Sequence, residues 1–138
     1  MISFDLDGVL VADLDFNTLA SLGHSERDIV KIRSAMKPIF KPKGKWQLLT
    51  ARPKKDLPVT KKWLLNNGMM PSNLCHDNLD LEKPWLYKLE VLKSNPYVTT
   101  HVEDNKFIIA YLRENMDRPI MIIDFADFLE QKFTGNLR

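Results

Sequence analysis

Two aspartates one residue apart, Asp5 and Asp7, stand directly after a short apolar run, and Gly8 follows them. Further along, apolar runs end on Thr50, Ala51, Arg52 and Pro53, and on Glu103, Asp104 and Asn105, while Lys83 and Lys88 lie in the segment between these two sets. Two carboxylates and a third from a neighbouring strand make a hard, oxygen-rich site of the kind Mg2+ prefers, with water and a substrate phosphate completing the coordination. One aspartate of such a site can attack phosphorus while a second protonates the leaving oxygen and later activates water. A hydroxyl at Thr50 can donate to a phosphoryl oxygen, and a lysine amine can neutralise the charge that nucleophile and phosphate bring together. Gly8 lets the backbone turn aside just after the second acid. Each feature alone has a blander account: an Asp-x-Asp is common, Thr50 can cap a turn, and any one lysine can be a solvated charge. Together, in this order, they are the parts of phosphoryl transfer.

These residues need elements to bring them together. Short aliphatic runs recur at Met1 to Phe4, Trp46 to Leu49, weakly at Asn73 to His76, at Val98 to Val102 and at Ile120 to Ile123. Such runs, separated by segments of helical spacing, predict buried parallel strands in a βαβ series, hence an α/β fold with a central parallel sheet of about five strands. Helices are predicted over Val59 to Asn67, with Gly68 beyond the end; from Pro84, with Leu86, Leu89 and Leu92 near one face; over about Lys106 to Asn115, with Ile108, Ile109 and Leu112 inward; and after Ser25, with Ile29, Ile32 and Met36 at near-helical intervals. In a parallel α/β sheet the ligand site lies outside the carboxyl ends of the strands, where the residues above all fall.

A chain of 138 residues makes one domain, 1–138, with a core large enough to need no metal or disulfide for folding. Its single cysteine, Cys75, permits no internal disulfide, and no apolar run reaches the roughly 18 residues of a membrane span, so a cytoplasmic protein is expected. Net charge is +2. The lysines crowd between Lys31 and Lys62, where Asp56 is the sole acid, and this is either a solvated face or a surface for a polyanion.

The motifs resemble those of the haloacid dehalogenase (HAD) superfamily of phosphohydrolases. Its D-x-D-G-x-[TV]-L motif is matched by Phe4-Asp5-Leu6-Asp7-Gly8-Val9-Leu10, its strand ending in Thr or Ser by Leu48-Leu49-Thr50-Ala51-Arg52-Pro53, and its strand ending in paired acids by His101-Val102-Glu103-Asp104-Asn105. The resemblance implies a three-layer Rossmann-like fold and a Mg2+-dependent phosphatase in which Asp5 becomes an aspartyl phosphate. Asp7 would be the general acid/base and lend the metal a backbone carbonyl. Glu103 and Asp104 would complete the metal site, with Asp104 favoured for direct contact. The motif-three lysine is either Lys83, in Lys83-Pro84, or Lys88, in the Pro-x-x-x-Lys form favoured here, and Thr50, Ala51, Arg52 and Lys83 are the expected substrate contacts.

The stretch Thr60-Lys61-Lys62-Trp63-Leu64 followed by Asn67-Gly68 is similar to that of polynucleotide 3′-phosphatase and 5′-nucleotidase-like members. The segment that houses a cap in this superfamily spans only about 13–45, enough for a small flap and one or two helices, and an open site suits a nucleotide or a nucleic-acid end. A small phosphorylated metabolite is the alternative. Arg52 is then a phosphate ligand or half of a structural ion pair. His101 is expected to be structural, Trp46, Trp63 and Trp85 to belong to the core, and Asp77 and Asn78 to touch substrate or form a turn. The non-enzymatic alternatives are a receiver-like phosphoacceptor module and a HAD-like binding protein without catalysis, although receivers carry their acceptor after the third strand and lack D-x-D-G after the first.

Overall fold

The computed structural model describes residues 1–14, 16–76 and 82–134, with the side chains of residues 16, 133 and 134 left aside; Asp77 and Asn78 lie outside the described residues. Five strands, β1 (Ile2–Phe4), β2 (Trp46–Leu49), β3 (Asn73–Cys75), β4 (Thr100–Glu103) and β5 (Met121–Asp124), form one parallel sheet in the order β3-β2-β1-β4-β5. Helices α3 (Leu57–Asn66) and α6 (Phe125–Thr134) cover one face, and α4 (Pro84–Ser94) and α5 (Lys106–Asn115) cover the other, giving the expected three-layer Rossmann-like arrangement. Between β1 and β2 the chain inserts α1 (Phe16–Ser21) and α2 (Glu26–Ala35), two helices and no large lid. No helix among the described residues is long and apolar enough to cross a membrane.

The period-two alternation of the strands explains the layers. Phe4, Leu48, Val102 and Ile123 pack with Trp63, Leu64 and Phe128 on one side, whereas Leu49 and Ile122 meet Leu89, Leu92, Ile108, Ile109 and Leu112 on the other. On that second face β1, β2 and β4 carry Ser3, Gln47 and His101 side by side, all fully buried. Such a polar rung is tolerated only when every group finds a partner. Gln47 Nε2 donates to Ser3 Oγ at 3.1 Å, Ser3 Oγ lies 2.9 Å from His101 Nδ1, and Gln47 Oε1 accepts from Asn73 and Asn95 Nδ2 at 2.7 and 2.9 Å.

One expectation needs correction in detail. The fourth strand runs Thr100–Glu103, two residues later than its apolar signal, because Val98 is buried in the core just ahead of the sheet pairing. Helices α1 and α6 carry no punctuation that sets them apart: α6 begins at Phe125, immediately after β5. Ser25 does cap α2, in a capping box with Asp28, and Pro84 does open α4.

Candidate functional site

The sheet order reverses at β1, whose neighbours β2 and β4 come from opposite directions along the chain, and the crevice at such a switch point is where α/β sheets place their ligands. Asp5 stands at the end of β1, its N–H still paired to Val102 O at 3.0 Å. The next residue, Leu6, is fully buried, and its carbonyl accepts from Val9, Leu10 and Val11, all three buried as well. That apolar loop fixes the acids on either side of Leu6. Gly8 has φ of +86°, and a Cβ there would overlap the Asp104 carboxylate, so only glycine permits both the turn and the close approach.

Asp5, Glu103 and Asp104 come together, each offering a carboxylate oxygen within 4.8 Å of the others. Lys88, 3% exposed on α4, reaches in between: its Nζ lies 3.1 Å from Asp5 Oδ1 and 2.7 Å from Glu103 Oε1. Lys83 is exposed at the start of α4 and is not among the residues lining the cavity described below. Burial alone would lower the Lys88 pKa, but the two carboxylates outweigh it and hold the ammonium charged. Burial would likewise raise Glu103, yet Lys88 and His101 hold it well below the usual carboxylate range. Asp5 goes the other way, pushed up by burial and by the Glu103 charge. Asp104, half-buried, is raised to about 6 by burial and then by Glu103.

His101 ties this cluster to the polar rung. Burial lowers its pKa, which keeps the ring neutral, and Nε2 lies 3.3 Å from Glu103 Oε1. An ionised carboxylate only accepts, so Nε2 carries the proton and Nδ1 accepts from the Ser3 hydroxyl, whose oxygen is in turn the acceptor for Gln47. A directed chain of hydrogen bonds therefore runs from Gln47 through Ser3 and His101 to Glu103. The expectation that His101 is structural holds, and its task is to aim Glu103. Glu103 Oε2 also accepts from the N–H groups of Asp104 and Asn105 at 3.3 and 3.4 Å.

Across the crevice Arg52 grips Asp7 with two parallel bonds, Nε to Oδ2 at 2.8 Å and a terminal nitrogen to Oδ1 at 2.6 Å. The remaining guanidinium nitrogen donates to Thr60 Oγ1 at 3.1 Å, and that hydroxyl lies 3.0 Å from His76 Nε2. Thr60 and His76 are both buried, so they form a support behind Arg52 that sequence reasoning did not find. No spacing along the chain pairs them: Thr60 lies within α3, and His76 follows β3. Thr50 is buried and its Oγ1 accepts from Arg52 N–H at 3.2 Å, a local turn cap that leaves the hydroxyl proton free to point elsewhere.

A cavity of about 870 Å3 opens over these groups. Asp5, Asp7, Thr50, Ala51, Arg52, Lys88, Glu103 and Asp104 line one side, and the insertion supplies the far wall with Asn17, His24, Ile29 and Val30 among others. Helix α2 has no buried residue, since its apolar side faces this space instead of the core. Arg33 on α2 lies 3.2 Å from Asp56, which joins the insertion to the turn before α3.

No family model matches the chain, and no curated protein matches it significantly. Among solved structures it is similar to a chain of the Pnkp1/Rnl/Hen1 RNA repair complex, with 18% sequence identity and a TM-score of 0.57 over 90% of this chain and 42% of that one. The match thus spans less than half of that longer chain, and at this identity it speaks for the fold alone.

Proposed function

We propose that the protein is a phosphomonoester hydrolase of the HAD type that works through an aspartyl phosphate on Asp5 and acts on the phosphate of a nucleotide or a polynucleotide end. The observation that carries this reading is the position of Lys88, buried between Asp5 and Glu103, with Asp104 beside them and Arg52 on Asp7 opposite. A lone acidic turn or a purely structural ion pair needs no such convergence from three strand ends.

The donor set fits Mg2+: the ligand atoms are all carboxylate oxygens, and burial, then the Glu103 charge, raises Asp5 and Asp104, a cost that a bound cation would relieve. Asp5, Asp104 and Glu103 would hold the ion, Asp104 being the freer carboxylate because Glu103 is already engaged by Lys88, His101 and two backbone N–H groups. When bound, Mg2+ supplies charge neutralisation for the phosphate and the nucleophile.

The chain's own residues divide the remaining work. An Asp5 carboxylate oxygen attacks phosphorus, the ester P–O bond breaks, and Asp7 gives its proton to the departing alkoxide oxygen. Asp7 then takes a proton from water, whose oxygen attacks phosphorus, breaks the bond to Asp5 and releases inorganic phosphate. Lys88 keeps the Asp5 side chain aligned and balances its charge. Arg52, planar and bidentate, would exchange Asp7 for the incoming phosphate, which leaves Asp7 free to move protons. Thr50 and the N–H groups near Ala51 complete the phosphate contacts.

The RNA repair neighbour and a cleft bounded by only two short inserted helices support a nucleotide or nucleic-acid end over a small metabolite. A receiver-like module is disfavoured by the strand order, since flavodoxin-like receivers follow 2-1-3-4-5. Phosphate release from nucleoside monophosphates, 3′-phosphorylated oligonucleotides and sugar phosphates, compared at equal Mg2+, tests the reading. A preference for sugar phosphates would remove the nucleic-acid assignment.

A further inference from the structure

The first turns of α4 and α5 both lie at the carboxyl rim of the sheet, and each carries an aromatic residue: Trp85, half-buried against the core on that face, and Phe107, exposed. Trp85 and Phe107 meet edge to face with ring centroids 5.0 Å apart, and Tyr111 stacks on Phe107 at 6.3 Å with 22° between the rings. Phe107 is 58% exposed, and Leu86 beside Trp85 is exposed as well. The inward face of α5 is already filled by Ile108, Ile109 and Leu112, so nothing in the packing calls for a phenylalanine at 107. Single exposed apolar residues are ordinary, but Phe107 is the exposed member of three aromatic rings in mutual contact, with Trp85 and Tyr111 half-buried against the core.

Their place in the chain ties them to the cleft. Trp85 follows Pro84, and Phe107 lies between Asn105 and Ile108; Pro84, Asn105 and Ile108 all line the cavity that holds the carboxylates. Lys106 immediately precedes Phe107, and Lys83 stands two residues before Trp85 at the start of α4, an interleaving of cation and ring found where nucleic-acid strands are bound. The cations are partly offset, because Lys106 pairs with Asp124 and Glu82 adjoins Lys83, so ring faces carry more of the attraction here than net charge.

We propose that Phe107, backed by Trp85 and Tyr111, is a stacking platform for a base of a single-stranded nucleic acid whose phosphorylated end enters the carboxylate cleft. The entry of that end rests on the phosphatase reading above; the stacking does not. A single strand is specified because its bases are free to leave the stack and lie on an aromatic face, whereas duplex bases are not. Because stacking is sequence-tolerant, the platform would admit any base.

The test is fluorescence anisotropy with a labelled single-stranded oligodeoxythymidylate, with and without a 3′-phosphate, together with kcat/KM for the phosphorylated form and for p-nitrophenyl phosphate. Phe107→Ala should weaken binding of both oligonucleotides by about tenfold, within the roughly 5- to 150-fold that one stacked base is worth, and Phe107→Trp should restore it. The ratio of kcat/KM on the oligonucleotide to that on p-nitrophenyl phosphate should fall by a similar factor in Phe107→Ala. Equal affinities for wild type and Phe107→Ala would overturn the proposal, as would a Phe107-dependent dimer in sedimentation. Binding of the unphosphorylated strand needs no chemistry. If Phe107-dependent binding persists while p-nitrophenyl phosphate is not hydrolysed, the platform stands and the phosphatase reading fails.

Discussion

Lys88 shows how the site depends on single charges. Its ammonium is the cation that the described residues place between Asp5 and Glu103, and truncating one partner of a buried pair leaves the other uncompensated. Lys88→Ala should therefore lower stability by about 3–5 kcal/mol in the metal-free protein, with part of the loss recovered by Mg2+; an unchanged Tm would contradict the pairing. Gly8→Ala makes a narrower prediction. The added methyl would meet the Asp104 carboxylate at a φ that alanine disfavours, so divalent-ion affinity should drop by at least about tenfold in a protein that still folds, as isothermal titration would measure. Asp104 also sets a pH dependence. Its folded pKa of about 6 exceeds the unfolded 3.8, so its ionisation costs stability that accumulates as pH rises from about 4 through about 6, and a bound cation relieves that cost. The rise in Tm caused by Mg2+ should be larger at pH 7 than at pH 5, and an equal rise at both would show that Asp104 is not a ligand.

At the scale of elements, each strand end delivers its residue because the residue next to it is anchored in the core. Leu6 between the two aspartates is the clearest case; an Asp-x-Asp alone is common, and it could be read from the sequence only together with Thr50, Lys88 and Asp104 further along. The strands themselves were legible by their aliphatic runs, and two of the helix starts by Ser25 and Pro84. Asn105 Oδ1 accepts from Ile108 N–H at 3.0 Å and so caps α5 directly behind the acids. What stayed hidden was the lateral dimension. Nothing along the chain announces that Ser3, Gln47 and His101 become neighbours, since that follows from register between strands more than forty residues apart. The same is true of the Thr60–His76 support for Arg52, and of α6, which has no turn signal between it and β5. His101→Leu should remove one of the bonds that aim Glu103, costing about 1–3 kcal/mol and weakening Mg2+ by about tenfold or more. A variant with wild-type metal affinity would mean that Lys88 and the backbone position Glu103 unaided.

For the molecule as a whole, the order β3-β2-β1-β4-β5 gathers at one crevice what the sequence scatters over a hundred residues, from Asp5 to Asp104. The insertion α1–α2 closes one side of that crevice without sealing it, and the aromatic turns of α4 and α5 extend its other rim. On the proposed reading, the crevice takes the phosphorylated end and the aromatic turns take the strand behind it. All of this depends on whether Asp5 carries a phosphoryl group during turnover. The most direct measurement is phosphate release from p-nitrophenyl phosphate by wild type and Asp5→Asn in the presence and absence of Mg2+. Wild type should turn over only with Mg2+ and stop on chelation, and the rate should fall at least about a thousandfold in Asp5→Asn. Equal rates for the two proteins, or an inert wild type that still binds Mg2+, would contradict the proposed aspartyl phosphate.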